Sequence, residues 1–202
     1  MATPVTSPDL TGFCPRLNEF AFVQSGNSVM TTAPSKIGLG GGCHWCTEGV
    51  FESLLGVSKV NQGWIASSGE NSHFSEAIEV YFDPAIISLS DLIEIHLYTH
   101  ASRSNHAMRS KYRSAIYAYG DEQCKQAAEI VDALSADFDE AVITQVYPFR
   151  SFRKNKIELT DYFYSAPDRP FCQTYIQPKL NLLLARFNSH VDQEKLAEAG
   201  LK

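Results

Sequence analysis

Ile37-Gly38-Leu39-Gly40-Gly41-Gly42-Cys43-His44-Trp45-Cys46-Thr47-Glu48 is the most informative stretch of the chain. Ile37 to Leu39 read as the end of a buried strand. The glycines that follow turn the backbone sharply and allow close approach of a ligand. Cys43 to Leu54 then reads as a helix, because Val50, Phe51, Leu54 and Leu55 fall on one helical face. Gly56 is its expected C-cap. A strand, a glycine turn and a helix put Cys43 where the chain enters the helix. Unpaired N–H groups and the positive dipole end favour an anion there. Cysteine is nucleophilic as the thiolate, so this arrangement suits a cysteine nucleophile.

Working outward, Val57 to Ile65 and Ala77 to Phe82 are expected strands, the second stopped by Asp83-Pro84. Ser90 to Thr99 reads as a helix, Tyr112 to Tyr119 as a strand, Asp121 to about Asp137 as a helix and Ala141 to Tyr147 as a strand. A Pro- and aromatic-rich coil is expected from Pro148 to Gln173, then a final helix over about Pro178 to Phe187. One strand pair joins directly while the others alternate with helices. That pattern implies an α/β (α+β) two-layer sandwich with a ferredoxin-like split βαβ core. Residues 1–34 read as a loosely packed leader, 35–190 as one domain and 191–202 as a tail.

The 202 residues hold 44% hydrophobic and 20% charged side chains, enough for a core without disulfide staples. Lys and Arg number 17 against 23 Asp and Glu, a formal charge of −6 without a basic run. Nucleic acid and anionic membranes are therefore poor partners. The first ten residues carry no secretory signal pattern, and no apolar stretch approaches the roughly 18 residues of a membrane span. Five cysteines, an odd number at low density, point to a reducing compartment such as the cytoplasm.

Several motifs fail on inspection. Cys43 stands where a dinucleotide-binding run needs its last glycine, no Gly-Lys-Ser/Thr follows, and Thr47 breaks the haem-attachment order. Cys14 and Cys124 read as small hydrophobes. Two other readings of Cys43-His44-Trp45-Cys46 remain open. It could serve a CxxC thiol–disulfide oxidoreductase. It could also hold zinc through Cys43, His44 and Cys46 in a non-catalytic module, with His73, His100 and His106 downstream.

Gly-Gly-Cys-His-Trp-Cys (41–46) resembles the Gly-Cys-Phe-Trp signature of the peptide methionine sulfoxide reductase A family. Leu55-Gly56-Val57 follows as expected. Glu76-Ala77 with Tyr81-Phe82-Asp83-Pro84 resembles the family's His-Ala-Glu-Ala strand. Tyr112-Arg113-Ser114-Ala115-Ile116-Tyr117 matches a signature unchanged. Tyr162, Pro167 and Cys172 resemble the tail that carries a recycling cysteine. The likeness spans about Lys36 to Cys172.

The resemblance implies reduction of methionine S-sulfoxide, free or in proteins, by a monomer without a cofactor or metal and with thioredoxin as external reductant. It implies that Cys43 attacks the sulfoxide sulfur, Glu76 protonates its oxygen and Tyr112 hydrogen-bonds that oxygen. Trp45 would wall the methyl pocket, with His44, Trp64 and Tyr162 also lining the substrate site. A sulfoxide oxygen leaves poorly until protonated, so a carboxyl kept neutral by burial suits the role. Taken alone, Glu76 reads as a solvated strand residue and Tyr112 as an ordinary strand aromatic. The sulfenic acid left on Cys43 would condense with a thiol, either Cys46 or Cys172 in the flexible tail. The tail match favours Cys172. The chain departs from the family at several points. His44 replaces a Phe, Trp64 replaces a Tyr, the loop between Gly63 and Glu76 is short and lacks a second Tyr, and Ala107 replaces an Asp.

Overall fold

β1 (Ser35–Gly40) alternates Ile37 and Leu39 with glycines, so its large side chains share one face. In the computed structural model, which describes residues 35–201, that face is covered by α1 (His44–Glu52). The chain continues through β2 (Val57–Ala66), β3 (Ser75–Phe82), α2 (Leu89–Thr99), β4 (Ala115–Ala118), α3 (Asp121–Ser135), β5 (Gln145–Pro148) and β6 (Ser151–Lys154). α4 (Tyr162–Ser165), a π-helical turn (Cys172–Ile176), α5 (Gln177–Arg186) and α6 (Gln193–Glu198) follow. The expected leader and Cys14 lie outside the described residues.

The sheet runs β5-β4-β1-β3-β2-β6. Its inner four strands are antiparallel throughout. They form two interleaved units, β1-α1-β2 and β3-α2-β4, which is the split βαβ core expected. β5 adds in parallel to β4, and β6 adds antiparallel to the free edge of β2.

Ile37, Leu39, Ile78, Val80 and Ile116 meet Val50 and Phe51 of α1 and Leu92, Ile93 and Ile95 of α2 in the main core. Each such side chain, fully buried, contributes roughly 1.5–3 kcal/mol. The β2–β3 register pairs Val60 with Val80, Gln62 with Ile78 and Trp64 with Glu76. Side chains two apart share a face, so Gln62, Trp64 and Glu76 prolong the core row beneath α1. A smaller cluster on the opposite face gathers Ile65, Ala77, Ala115, Tyr117 and Tyr147.

Several segments differ from the sequence expectation, among them the strand expected from Ala141, which begins only at Gln145. α2 starts at Leu89 because Ser88 is its N-cap, in a capping box with Asp91. The strand expected from Tyr112 forms only at Ala115, since the Tyr112 N–H bonds to Met108 O and the Arg113 N–H to Ser75 Oγ. The expected coil after Pro148 contains β6, α4 and the π turn. Beyond the helix expected to be last, 191–202 is more than a tail. Asp192 caps α6 through the Lys195 N–H, and Leu196 is buried.

Candidate active site

Cys43 is the N-cap of α1, and its carbonyl accepts the Cys46 and Thr47 N–H groups at 3.1 and 3.2 Å. Its thiol is half-buried and held below the ordinary cysteine value. The largest cause is a hydrogen bond from the Cys46 thiol. Burial opposes it, and the Trp45 and Cys46 N–H groups reinforce it. Cys46 is correspondingly pushed up, by that same bond and then by burial, so it stays a protonated donor. The Cys46 sulfur also lies 3.9 Å from Tyr175 O. A thiolate is the stronger acceptor, since charge-assisted bonds are about twice as strong as neutral ones.

Glu76 is not the solvated strand residue its sequence suggests. It is 7% exposed, and its Oε2 accepts the N–H of His44, the residue after Cys43, at 3.3 Å. Its Oε1 lies 3.3 Å from Lys111 Nζ. Lys111 also hydrogen-bonds the Tyr112 side chain and sits 4.7 Å over its ring. One exposed lysine thus links the carboxyl and the phenol that the sequence singled out. Nothing in the sequence marks Lys111 beyond its place before Tyr112.

His44 is buried, and burial pulls its imidazole below the usual histidine range. A neutral ring with its proton on Nδ1 satisfies both neighbours. Nδ1 donates to Gly63 O at 3.2 Å, and Nε2 accepts from Asn155 Nδ2 at 3.4 Å. Asn155 Nδ2 also donates to Gln62 Oε1. Gln62 Nε2 donates to Glu48 Oε2 at 2.7 Å. Glu48, 1% exposed, accepts the Asp161 and Tyr162 N–H groups at 3.0 and 3.2 Å. The His44 substitution therefore comes with a complete polar network, and burial raises the Glu48 pKa within it. Glu48, Gln62 and Asn155 were missed from sequence. The available signal was a polar i, i+4 pair, His44 and Glu48, on one helix face.

Trp45 stacks on Tyr162 with ring centroids 4.1 Å apart and meets Phe171 edge-on. Its indole N–H donates to Leu159 O at 2.9 Å. The Trp64 and His44 rings meet T-shaped with centroids 5.3 Å apart, and the Arg153 guanidinium lies over the Trp64 ring at 4.8 Å. Both tryptophans and Tyr162 therefore flank the helix entrance. Cys172 is not in a flexible tail. It opens the π turn, is 0% exposed, and burial raises its thiol. A charge on Cys172 would push the Cys46 thiol further up. Lys179, a further residue missed from sequence, adds positive potential to both Cys46 and Cys43.

The zinc reading finds no support. His44 spends both ring nitrogens on Gly63 and Asn155, and among the described residues no group of three His, Cys, Asp or Glu gathers. Among them too, no helix is long and apolar enough to cross a membrane.

Comparison with known proteins agrees with this geometry. The family model described as peptide methionine sulfoxide reductase matches residues 35–191. A protein of Polynucleobacter asymbioticus called peptide methionine sulfoxide reductase MsrA is 31% identical over 75% of this chain and 88% of its own. Mxr1 from Saccharomyces cerevisiae in reduced form has a similar fold, with a TM-score of 0.60 at 21% identity over 70% of this chain and 90% of that one. A crystal structure of Mxr1 in complex with Trx2 matches with a TM-score of 0.50 at 20% identity, over 63% and 87% of the two chains.

Proposed function

Since the chain belongs to the peptide methionine sulfoxide reductase family, we propose that Cys43 is the residue through which it reduces methionine sulfoxide. The observation that carries this reading is the joint placement of two groups. A thiol held low sits at the mouth of α1, and a buried carboxyl is hydrogen-bonded to the very next N–H.

The Cys43 thiolate attacks the sulfoxide sulfur while a proton from the Lys111 ammonium, relayed by Glu76 beside it, reaches the oxygen that Tyr112 holds. The oxygen passes to Cys43, giving a sulfenic acid and the thioether. Methionine sulfur gains two electrons and Cys43 sulfur loses two. Trp45, stacked on Tyr162, walls the methyl group, and Trp64 closes the other side. His44, T-shaped to Trp64, has both ring nitrogens occupied by Gly63 and Asn155, which offsets its polarity beside the pocket.

A thiol then displaces hydroxide from the sulfenic acid, releasing water and leaving a disulfide. Cys46 suits this step best, because it stands one helical turn on and its thiol is the hydrogen-bond partner of Cys43. Cys172 follows by exchange with Cys46. An external dithiol then returns the disulfide to two thiols. The Mxr1 complex with Trx2 supports thioredoxin in that role. The S epimer, free or within proteins, monomeric action and a cytoplasmic setting complete the reading. Their support is the family resemblance, while Cys124, expected to be a free small hydrophobe, is buried and disulfide-bonded.

The test is NADPH consumption with thioredoxin, its reductase and a methionine S-sulfoxide peptide. Turnover is expected with wild type and none with Cys43→Ser. A folded, reduced wild-type protein without turnover sinks the proposal. The hydrogen-bonded Cys43–Cys46 pair also favours a second reading, general thiol–disulfide exchange. Exchange on a protein disulfide that survives Glu76→Gln, with sulfoxide turnover absent from wild type, would select it.

A further inference from the structure

Arg109 lies in a short turn (Ala107–Ser110) and spends all of its guanidinium on backbone. Nε donates to Ser104 O at 2.9 Å. Nη1 donates to Gly41 O at 3.1 Å and Tyr112 O at 3.0 Å. Nη2 donates to Ala101 O and to Ser104 O. A guanidinium has five N–H donors in a rigid fork, and here each has a carbonyl. No carboxylate pairs with it in the ion pairs of the described residues. A surface arginine held only for charge would have no reason to forgo water for four separate carbonyls.

The four carbonyls belong to three segments of the chain. Gly41 is in the turn that delivers Cys43. Tyr112 supplies the phenol and follows Lys111, the partner of Glu76. Ala101 and Ser104 lie just past α2, whose His96 Nε2 bonds to Gly40 O at 2.9 Å. Gly41 cannot fix its own geometry, because glycine is the most permissive residue. One Nη1 atom bridging Gly41 O and Tyr112 O instead ties the nucleophile's turn to the oxygen-binding residue.

We propose that Arg109 is a positioning residue which, by this bridge, sets Cys43 against Tyr112 and aims the thiol at the N–H groups of α1. It rests on the reading of Cys43 and Tyr112 given above for its effect on turnover, though not for its effect on the thiol. Misplacement of reacting groups by about 1 Å can cost roughly 10²-fold in rate. A lysine has three donors on a flexible stem and cannot span the four carbonyls.

The experiment compares full-length wild type, Arg109→Lys and Arg109→Ala in three measurements. These are sulfoxide turnover, the pH dependence of Cys43 alkylation, and thermal stability. Both variants should lose about tenfold to a hundredfold in kcat with little change in KM. Their alkylation midpoints should move to higher pH. Methylguanidinium should restore part of the Arg109→Ala rate, whereas methylammonium at equal ionic strength should not. Arg109→Lys keeps the measurement available if Arg109→Ala fails to fold.

The proposal is overturned if kcat and the alkylation midpoint of Arg109→Lys match wild type. It is also overturned if activity falls only in step with stability and neither variant responds to methylguanidinium. A wild-type protein that turns over no sulfoxide sinks the reductase reading alone. The alkylation midpoints and their rescue still decide the role of Arg109.

Discussion

Gly41 and Gly42 are adjacent, and the structure predicts opposite responses to alanine. A Cβ on Gly41 would lie 2.3 Å from His100 Cδ2 and 2.7 Å from its Nε2, at a backbone φ of +154°. Carbon atoms in contact prefer roughly 3.5–4.0 Å, so the ring must retreat by about 1 Å. It has no room to do so. The His100 ring stacks on His96 at 4.1 Å, and its nitrogens bond to His96 O and to Ser114 Oγ. Overpacking of this kind costs about 1–3 kcal/mol, and the backbone strain adds about 1–3 kcal/mol. Restriction of the unfolded chain returns about 0.4–1 kcal/mol. Gly41→Ala should therefore lose roughly 1–5 kcal/mol, which for a chain of this size lowers Tm by about 2–20 °C. A Cβ on Gly42 meets nothing within 4 Å, so Gly42→Ala should stay within about 1 kcal/mol of wild type. Urea denaturation of both variants measures the difference directly. Midpoints that agree to within about 0.5 kcal/mol would refute the packing argument.

Glu48→Ala should strip one acceptor from Gln62 Nε2, which keeps Leu159 O, and the acceptor of the part-buried Asp161 and Tyr162 N–H groups. A hydrogen bond lost in this way costs about 1 kcal/mol or more. A urea midpoint within error of wild type, with unchanged tryptophan fluorescence from Trp45 on Tyr162, would count against it. Cys46→Ala removes the largest influence holding the Cys43 thiol low. Its alkylation profile should then shift to higher pH, and an unmoved profile would deny the thiol–thiol bond. Burial drags His96 down to about 3 and His100 well below its usual value. Their folded pKa values lie under the unfolded one, so their stability is complete above pH 6.5 and drains as pH falls toward 3. The slope is about 1.4 kcal/mol per pH unit for each histidine. Glu52, raised to about 8 chiefly by burial, titrates in the opposite sense over part of that range. The measurement is therefore the difference between wild type and His96→Gln from pH 7 to 5. Parallel stability curves would show that His96 does not stay neutral in the fold.

The strand, the glycine turn and the α1 helix were legible because they are written locally, in a period of two, a run of glycines and a period near four. Cys43 at the helix entrance follows from that local text. The split βαβ core was legible for a related reason, since one direct strand connection among alternating elements leaves few topologies. β6 was not. Ser151-Phe152-Arg153-Lys154 has little apolar content, and its four residues form a strand because the edge of β2 offers them a ladder.

The polar part of the site was hidden by the same physics. Gln62 and Asn155 stand 93 positions apart, and each alone is an ordinary amide. Their meaning comes from register, which turns Gln62 inward beneath α1 at the row below Trp64 and Glu76. Glu76 misled in the opposite direction. Its neighbours Ser75 and Ala77 gave no sign of burial, yet the β2–β3 pairing carries it under the first turn of α1. The buried Cys172 misled because Pro- and aromatic-rich sequence reads as coil, whereas Phe171 of that stretch meets the Trp45 ring edge-on. Local pattern thus placed Cys43 at the helix entrance. The groups that tune it arrive by sheet register and long-range packing, so a substitution such as Phe to His44 is interpretable only beside Gly63 and Asn155.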